Sequence, residues 1–512
     1  MSNQDAFLQA IQSGYTFKGG AITLGVAMLD GQAVSGAEVK VPLATINRHG
    51  LVAGATGTGK TKTLQRFAEQ LSLNGVPVLI MDIKGDVSGV AEAGEANPKI
   101  DERHQKIGVP WAARAFPTEF LTLSGGDGLQ LRATVSEFGP VLFSKILEVN
   151  ETQEGVISLL FKYCDDKGLP LLDLKDFKKT LQYLTNEGKA EIQQEYGAIS
   201  PASTSAIMRK VIELEQQGAE QFFGERSFDV EDLCRTNSEG YGYINILRLA
   251  DLQSKPKLFS TFMLCLMAEI YEKFPELGDV DKPRLVLVID EAHLIFNEAS
   301  KALLNQIETI VKLIRSKGVG IYFCTQNPVD IPAPILAQLG FKLQHALRAF
   351  TANDRKAIKL AAENYPITEF YAVEDMLTQL GTGEAFVSVL NEKGIPTPLA
   401  HTLLGTPESR MDVLSGSELL AVVNRSTIRT KYNEVLDRES AYEILNKKIE
   451  AAQKAAEEAK AEKEAEKENR RKKDDPTLLE QIGKSSVGKQ ITREITKELT
   501  RGLLGILGIK RR

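Results

Sequence analysis

The chain is poor in the residues that build metal clusters and covalent frameworks. Its 512 residues include four cysteines (Cys164, Cys234, Cys265, Cys324) and five histidines. The cysteines lie far apart and form no CxxC pair, which excludes a zinc ribbon and a disulfide scaffold. Each is read as a small buried hydrophobe. No apolar run reaches the roughly 18–20 residues that span a bilayer. The start, Met1-Ser2-Asn3-Gln4-Asp5, lacks the basic and apolar stretches of a secretory signal. A soluble, cytoplasmic chain without a transmembrane segment is expected. A basic excess is missing too: 62 Lys and Arg stand against 68 Asp and Glu, a net charge of −6. That balance counts against a module that passively coats nucleic acid, while leaving room for a few lysines facing a pore.

What is present reads as alternating strands and helices. Residues 1–46 form a β-containing N-terminal segment, with extended stretches at 21–28 and 37–42. The apolar run Leu51-Val52-Ala53 leads into a glycine-rich loop. After the loop, Leu64, Phe67, Ala68 and Leu71 carry helical spacing, and residues 76–81 are continuously apolar, as in a strand buried on both faces. Strand, loop, helix and strand make one βαβ unit. Residues 47–138 are thus the first part of an α/β core. Helical spacing and polar turns over 139–235 mark an insertion. Strand-like runs at 242–247, 285–289 and 320–325 return the core over 236–410, with helices expected at 257–274 and 300–316. The runs at 384–390 and 397–403 are expected to form an edge hairpin. The fold class is therefore α/β with a mainly parallel sheet. Residues 411–440 are expected to pack on the core. The Ala/Glu/Lys-rich stretch 441–475 reads as a solvated helix or linker. In the tail, 476–512, a stripe of Ile491, Ile495, Leu499 and Leu503 runs beside Lys489, Arg493, Lys497 and Arg501. Such a helix docks on a partner protomer, an acidic surface or a lipid headgroup layer, or packs on its own chain; both readings stand open.

Gly54-Ala55-Thr56-Gly57-Thr58-Gly59-Lys60-Thr61 fits G-x-x-x-x-G-K-[ST] at every fixed position. Backbone N–H groups of this loop and the positive end of the following helix, which opens with Lys62 close by, cradle phosphates. Lys60 would reach the β- and γ-phosphates of ATP, and the Thr61 hydroxyl would hold Mg²⁺. The run Leu285–Ile289 then delivers Asp290 and Glu291 at a strand's C-terminal end, where parallel sheets place ligands. Asp290 is assigned to Mg²⁺ and Glu291 to the general base for the attacking water. His293 is read as a residue that supports the site from behind or packs, rather than as a metal ligand. Gln326, after another apolar run, either approaches the γ-phosphate or forms a turn with Asn327 and Pro328. Asp82 and Asp86, around Lys84-Gly85, either support the Mg²⁺ shell or line the edge of the site, or else shape a turn around Gly85.

Together these residues resemble the HerA/FtsK superfamily of RecA-like P-loop ATPases, in particular the bacterial HerA-like group. The resemblance is carried by Asn47-Arg48-His49-Gly50, the P-loop, Asp82-Ile83-Lys84-Gly85-Asp86 and Asp290-Glu291-Ala292-His293. It continues through Arg315-Ser316-Lys317-Gly318, Thr325-Gln326-Asn327-Pro328 and Gln344-His345-Ala346-Leu347-Arg348. It covers most of residues 40–410. It implies a homohexamer with nucleotide at subunit interfaces and an arginine that stabilises the γ-phosphate charge, Arg348 first and Arg315 second. A surface salt bridge is the competing account of either arginine. The expected activity is Mg-dependent ATP hydrolysis driving translocation on double-stranded DNA. The alternative is an ATPase switch whose protein partner engages the insertion or the tail. The N-terminal segment is too short for the β-barrel of many HerA proteins, and no winged-helix DNA reader is seen. These departures bear on DNA, not on ATP.

Overall fold

The computed structural model describes residues 2–249, 255–298, 301–434, 436 and 438–473. The basic amphipathic stripe expected over 489–503 lies outside them. The chain forms two compact units. One comprises residues 2–133 with 214–436, the other residues 134–213 with 438–473.

The first unit is organised by one sheet. Its strands are β1 (Ala21–Leu29), β2 (Gln32–Pro42), β3 (Gly50–Ala53), β4 (Val78–Asp82), β5 (Thr118–Thr122) and β6 (Leu129–Gln130). Then follow β7 (Ile244–Arg248), β8 (Leu285–Ile289), β9 (Val319–Thr325), β10 (Phe341–Gln344), β11 (Glu384–Ser388) and β12 (Ala400–Leu404). Their order is β2-β1-β12-β11-β10-β3-β9-β8-β4-β7-β5-β6. From β10 to β6 every pairing is parallel. β3, β4, β8 and β9 are buried at every residue, which is why they read as unbroken apolar runs rather than alternating ones. The helix Lys60–Leu73 buries Leu64, Phe67, Ala68 and Leu71, the i, i+3, i+4, i+7 stripe of a helix lying on a sheet. From β3 the chain passes to β4 on one side, and it later places β10 on the other. The loop after β3 therefore sits at a reversal of strand order, where open α/β sheets bind ligands.

The four strands beyond β10 are antiparallel. β11 and β12 form the expected hairpin, but it is not at an edge, because β1 pairs with β12 and leaves β2 outermost. The N-terminal hairpin thus extends the core sheet. Gly25 permits this crossing, since a Cβ there would lie 2.0 Å from the Leu403 carbonyl oxygen. The helix Asn3–Gly14, not anticipated from the sequence, is started by a capping box between Ser2 and Asp5. It is anchored by Phe7, whose ring stands edge-on to Phe370 and Tyr371.

The second unit is helical. It contains Val135–Leu147, Glu151–Lys167, Leu174–Thr185, Lys189–Glu195, most of Pro201–Gln216 and Ala441–Lys473. Phe143, Phe161 and Phe177 meet at its centre with ring centroids 4.8–6.4 Å apart. The buried Asp176 carboxylate accepts from the backbone N–H groups of Leu172 (2.8 Å), Asp173 (3.1 Å) and Tyr442 (2.8 Å), and from the Ser440 hydroxyl. One side chain thereby caps its own helix and fastens the start of Ala441–Lys473. Among the described residues, no helix is long and apolar enough to cross a membrane.

Candidate nucleotide site

Residues 54–61 bridge β3 and the helix Lys60–Leu73. Gly57 (φ +80°) and Gly59 (φ +110°) adopt left-handed backbone, a conformation that side-chain-bearing residues reach only at a cost. Gly59 caps the helix without a side-chain acceptor, so the N–H groups of the first turn stay available to an anion. The loop is pinned from behind. Gly54 N–H donates to the Thr325 carbonyl of β9 (3.2 Å), Ala55 N–H to the Ala346 carbonyl beyond β10 (2.8 Å), and Gly383 N–H to the Thr58 carbonyl (3.1 Å).

His345 fills the space beneath. Its Nδ1 lies 2.9 Å from the Glu384 carbonyl and its Nε2 3.0 Å from the Thr63 hydroxyl. A carbonyl can only accept, so Nδ1 carries the proton and Nε2 accepts. Burial lowers its pKa to about 4, so the ring is neutral and acts as a brace. Lys60 is buried and donates to the Gly54 (2.6 Å) and Ala55 (3.1 Å) carbonyls. Lys62 turns the other way, to Gln65 and the Met411 carbonyl. Its contribution at the loop is thus its backbone N–H.

Beside the loop, carboxyl oxygens of Asp82, Asp86 and Asp290 all lie within 4.8 Å of one another. β4 and β8 are adjacent and in register from Met81 to Ile289, which puts Asp82 opposite Asp290. Gly85 and Val87 N–H groups bond to Asp82 (2.7 and 3.3 Å), and the turn they form swings Asp86 back towards Thr61. The Thr61 hydroxyl donates to Asp86 Oδ2 (3.1 Å), while Asp86 Oδ1 is buried with no hydrogen-bond partner. Burial, with Asp86 and Asp290 adding to it against the two N–H groups, pushes Asp82 up to about 6. Burial and then the neighbouring Glu291 also raise Asp290. Crowded, desolvated carboxylates plus one hydroxyl are a hard-oxygen donor set that suits Mg²⁺. The turn around Gly85 is formed, and it is what brings Asp86 to Asp82 and Asp290.

Glu291 is buried and has left-handed backbone (φ +47°), held by Ala292 N–H donating to the Cys324 carbonyl (2.8 Å). Its carboxylate is ion-paired with Lys84 and lies 3.2 Å from His293 Nδ1. Burial works to raise its pKa, but Lys84, then His293 and Lys60, hold it below the usual range. It is therefore ionised near neutrality. Gln326 follows β9 directly and Arg348 lies beyond β10. Both line a cavity of about 580 Å³ with Ala55, Thr56, His293 and Phe350. Arg315 is elsewhere: it precedes β9, is paired with Asp279 (3.5 Å), and is separated from the loop by the seven-residue strand, roughly 20 Å at the rise of a β-strand. It does not join the site of its own chain.

A glycine loop at the strand-order reversal, with a carboxylate pair two strands away, defines a P-loop nucleotide site on a RecA-like fold. The chain belongs to the helicase HerA-like C-terminal family, whose sequence profile matches residues 28–512. It is 24% identical over 376 residues (71% of this chain, 66% of the relative) to a DNA double-strand break repair helicase HerA of Sulfolobus acidocaldarius. A protein of the same description from Sulfurisphaera tokodaii is 24% identical over 362 residues, 69% of this chain and 64% of the relative. The chain thus spans slightly less than two thirds of these relatives. Its fold matches the bacterial conjugative coupling protein TrwBdeltaN70 in its unbound monoclinic form, with TM-score 0.50 and 15% identity over 80% of this chain and 95% of that one.

Proposed function

We propose that the protein hydrolyses ATP with Mg²⁺ and couples turnover to movement along double-stranded DNA as a ring of identical subunits, six by family resemblance. The observation that carries the chemistry is the buried, ionised Glu291 beside the Asp82–Asp86–Asp290 cluster and the free helix start after Gly59. The loop N–H groups and Lys60 bind the phosphates. Thr61, Asp290 and Asp86 hold Mg²⁺, which supplies neutralisation of phosphate charge. Glu291 accepts the proton of the attacking water, and Gln326 orients that water. Arg348 stabilises charge on the transferred phosphoryl group. Arg315, far from its own loop, is suited only to a neighbour's site. DNA as the track rests on the names of the archaeal relatives.

The test is the steady-state ATPase rate with and without long double-stranded DNA, beside Glu291→Gln. A general base contributes about 10²–10⁴-fold, so the variant should lose at least a hundredfold. DNA stimulation that weakens steeply with salt and disappears in the variant supports the motor. Turnover that depends on Glu291 but ignores DNA at low salt assigns the protein instead to switches acting on a protein partner.

A further inference from the structure

Lys84 has no part in the chemistry described so far, yet it is the cation bonded to the residue assigned as base. It lies at the tip of the turn after β4. Asp82 fixes that turn through the Gly85 and Val87 N–H groups, and Gly85 supplies its left-handed residue (φ +76°). Because β4 and β8 are neighbours in register, the tip reaches across to the end of β8, where the Lys84 ammonium meets the Glu291 carboxylate. The two ends differ in freedom. The Glu291 side chain is 4% exposed, whereas that of Lys84 is 35% exposed. Glu291 is fixed further by its backbone, with Asp290 N–H on the Met81 carbonyl (3.3 Å) and Ala292 N–H on the Cys324 carbonyl (2.8 Å). Lys60, the other lysine of the site, bonds to loop carbonyls. Both cations are thus held by protein acceptors that a polyphosphate outcompetes in charge, and of the two Lys84 has the open approach.

We infer that Lys84 is a positioning residue for Glu291, holding its carboxylate at the end of β8 and passing to the phosphates when ATP enters, which frees Glu291 for water. The inference rests on Glu291 acting as the base. It predicts a base occupied by its own cation in the absence of substrate and available in its presence, so that occupancy of the loop gates the chemistry.

A double-mutant cycle tests this. Lys84→Met, Glu291→Gln and the combined variant are compared for kcat at saturating Mg-ATP, with the Kd for a fluorescent ADP analogue and thermal unfolding measured alongside. If Lys84 acts through Glu291, Lys84→Met lowers kcat by about tenfold or more while ADP affinity changes less than threefold. It then costs nothing further in the Glu291→Gln background, as expected for groups that work as a unit. Lys84→Arg keeps the cation and should recover most of the rate, and Lys84→Gln, which also removes the charge, serves as the test variant should Lys84→Met unfold. Losses that multiply in the combined variant would show that Lys84 acts on the phosphates alone, and an unchanged kcat in Lys84→Met would equally overturn the inference. Wild-type turnover in Glu291→Gln is a different failure, that of Glu291 as base.

Discussion

Replacing Arg66 with methionine would keep an unbranched apolar stem and remove one charge from the interior. Arg66 lies on the helix that starts at the phosphate loop, and its guanidinium is 2.7 Å from Glu408 and 3.7 Å from Glu69. Glu69 also accepts the Glu408 (2.8 Å) and Ser409 (3.0 Å) N–H groups, so this pair clamps residues 408–409 onto the helix. Arg66, Glu69 and Glu408 side chains are 7%, 0% and 8% exposed. Taking one partner from a buried pair costs about 3–5 kcal/mol, because the other charge stays behind desolvated. Arg114, 3.3 Å from Glu408 but 36% exposed, remains, which places the expected loss near the lower limit, about 3 kcal/mol. Trp111 is the single tryptophan, and its indole N–H bonds to the Pro407 carbonyl (2.7 Å). Its fluorescence in equilibrium urea unfolding therefore reports on the clamped segment itself. The pH dependence has a definite sign. Burial, opposed by Ser409, the two N–H groups and Arg66, already raises the Glu69 pKa, and losing Arg66 raises it more. A carboxyl with a raised folded-state pKa favours the native state at low pH and loses that contribution as pH rises. The deficit of the variant should accordingly be largest near neutrality and shrink as pH falls towards the ordinary carboxylate range. A loss below about 1 kcal/mol, the figure for exposed pairs, or a deficit that grows on acidification, would refute the reasoning.

Gly54→Ala should damage the loop without unfolding the protein. Its Cβ would stand 2.5 Å from the His345 Cβ at a φ of +155°, a strain of about 1–3 kcal/mol. Weakening of fluorescent ADP binding by about tenfold is expected, and a Kd within twofold of wild type would contradict the assignment of this close approach. Arg315→Ala and Glu291→Gln should each be inactive alone and regain ATPase activity when mixed, if Arg315 serves a neighbour's site. Absence of recovery would remove Arg315 from the mechanism. Arg348→Ala, truncating a side chain that lines the cavity of its own loop, should lower kcat more than it lowers ADP affinity.

The parallel half of the sheet was legible because each of its central strands is buried on both faces and reads as an apolar run, and the loop glycines follow from backbone conformations that few residues adopt. Long-range pairing was not legible. Nothing local in residues 21–42 says that their hairpin joins β12, so β11 and β12 read as an edge. The helix Asn3–Gly14 carried a start signal in Ser2 and Asp5, but its support comes from Phe370 and Tyr371, far along the chain. In the site, Asp290 and Glu291 were visible as a strand end. The Lys84 ion pair and the His345 brace depend on which strands are neighbours, and no spacing encodes that. Arg315 was grouped with the site by resemblance, whereas the strand between it and Gln326 sets it at the far margin of the sheet.

The Asp176 junction bears on how the chain is made. The helical unit takes its first segment from residues 134–213 and its last helix from residues beyond 438, with half of the sheet's strands, β7 to β12, encoded between them. At roughly 5–20 residues per second on the ribosome, the first segment waits on the order of tens of seconds before Ser440 and Tyr442 exist to bond Asp176. During that interval a carboxylate destined for the interior lacks two of its four donors. The nascent insertion is then an unfinished surface, and a chain that stops before residue 440 leaves it so permanently.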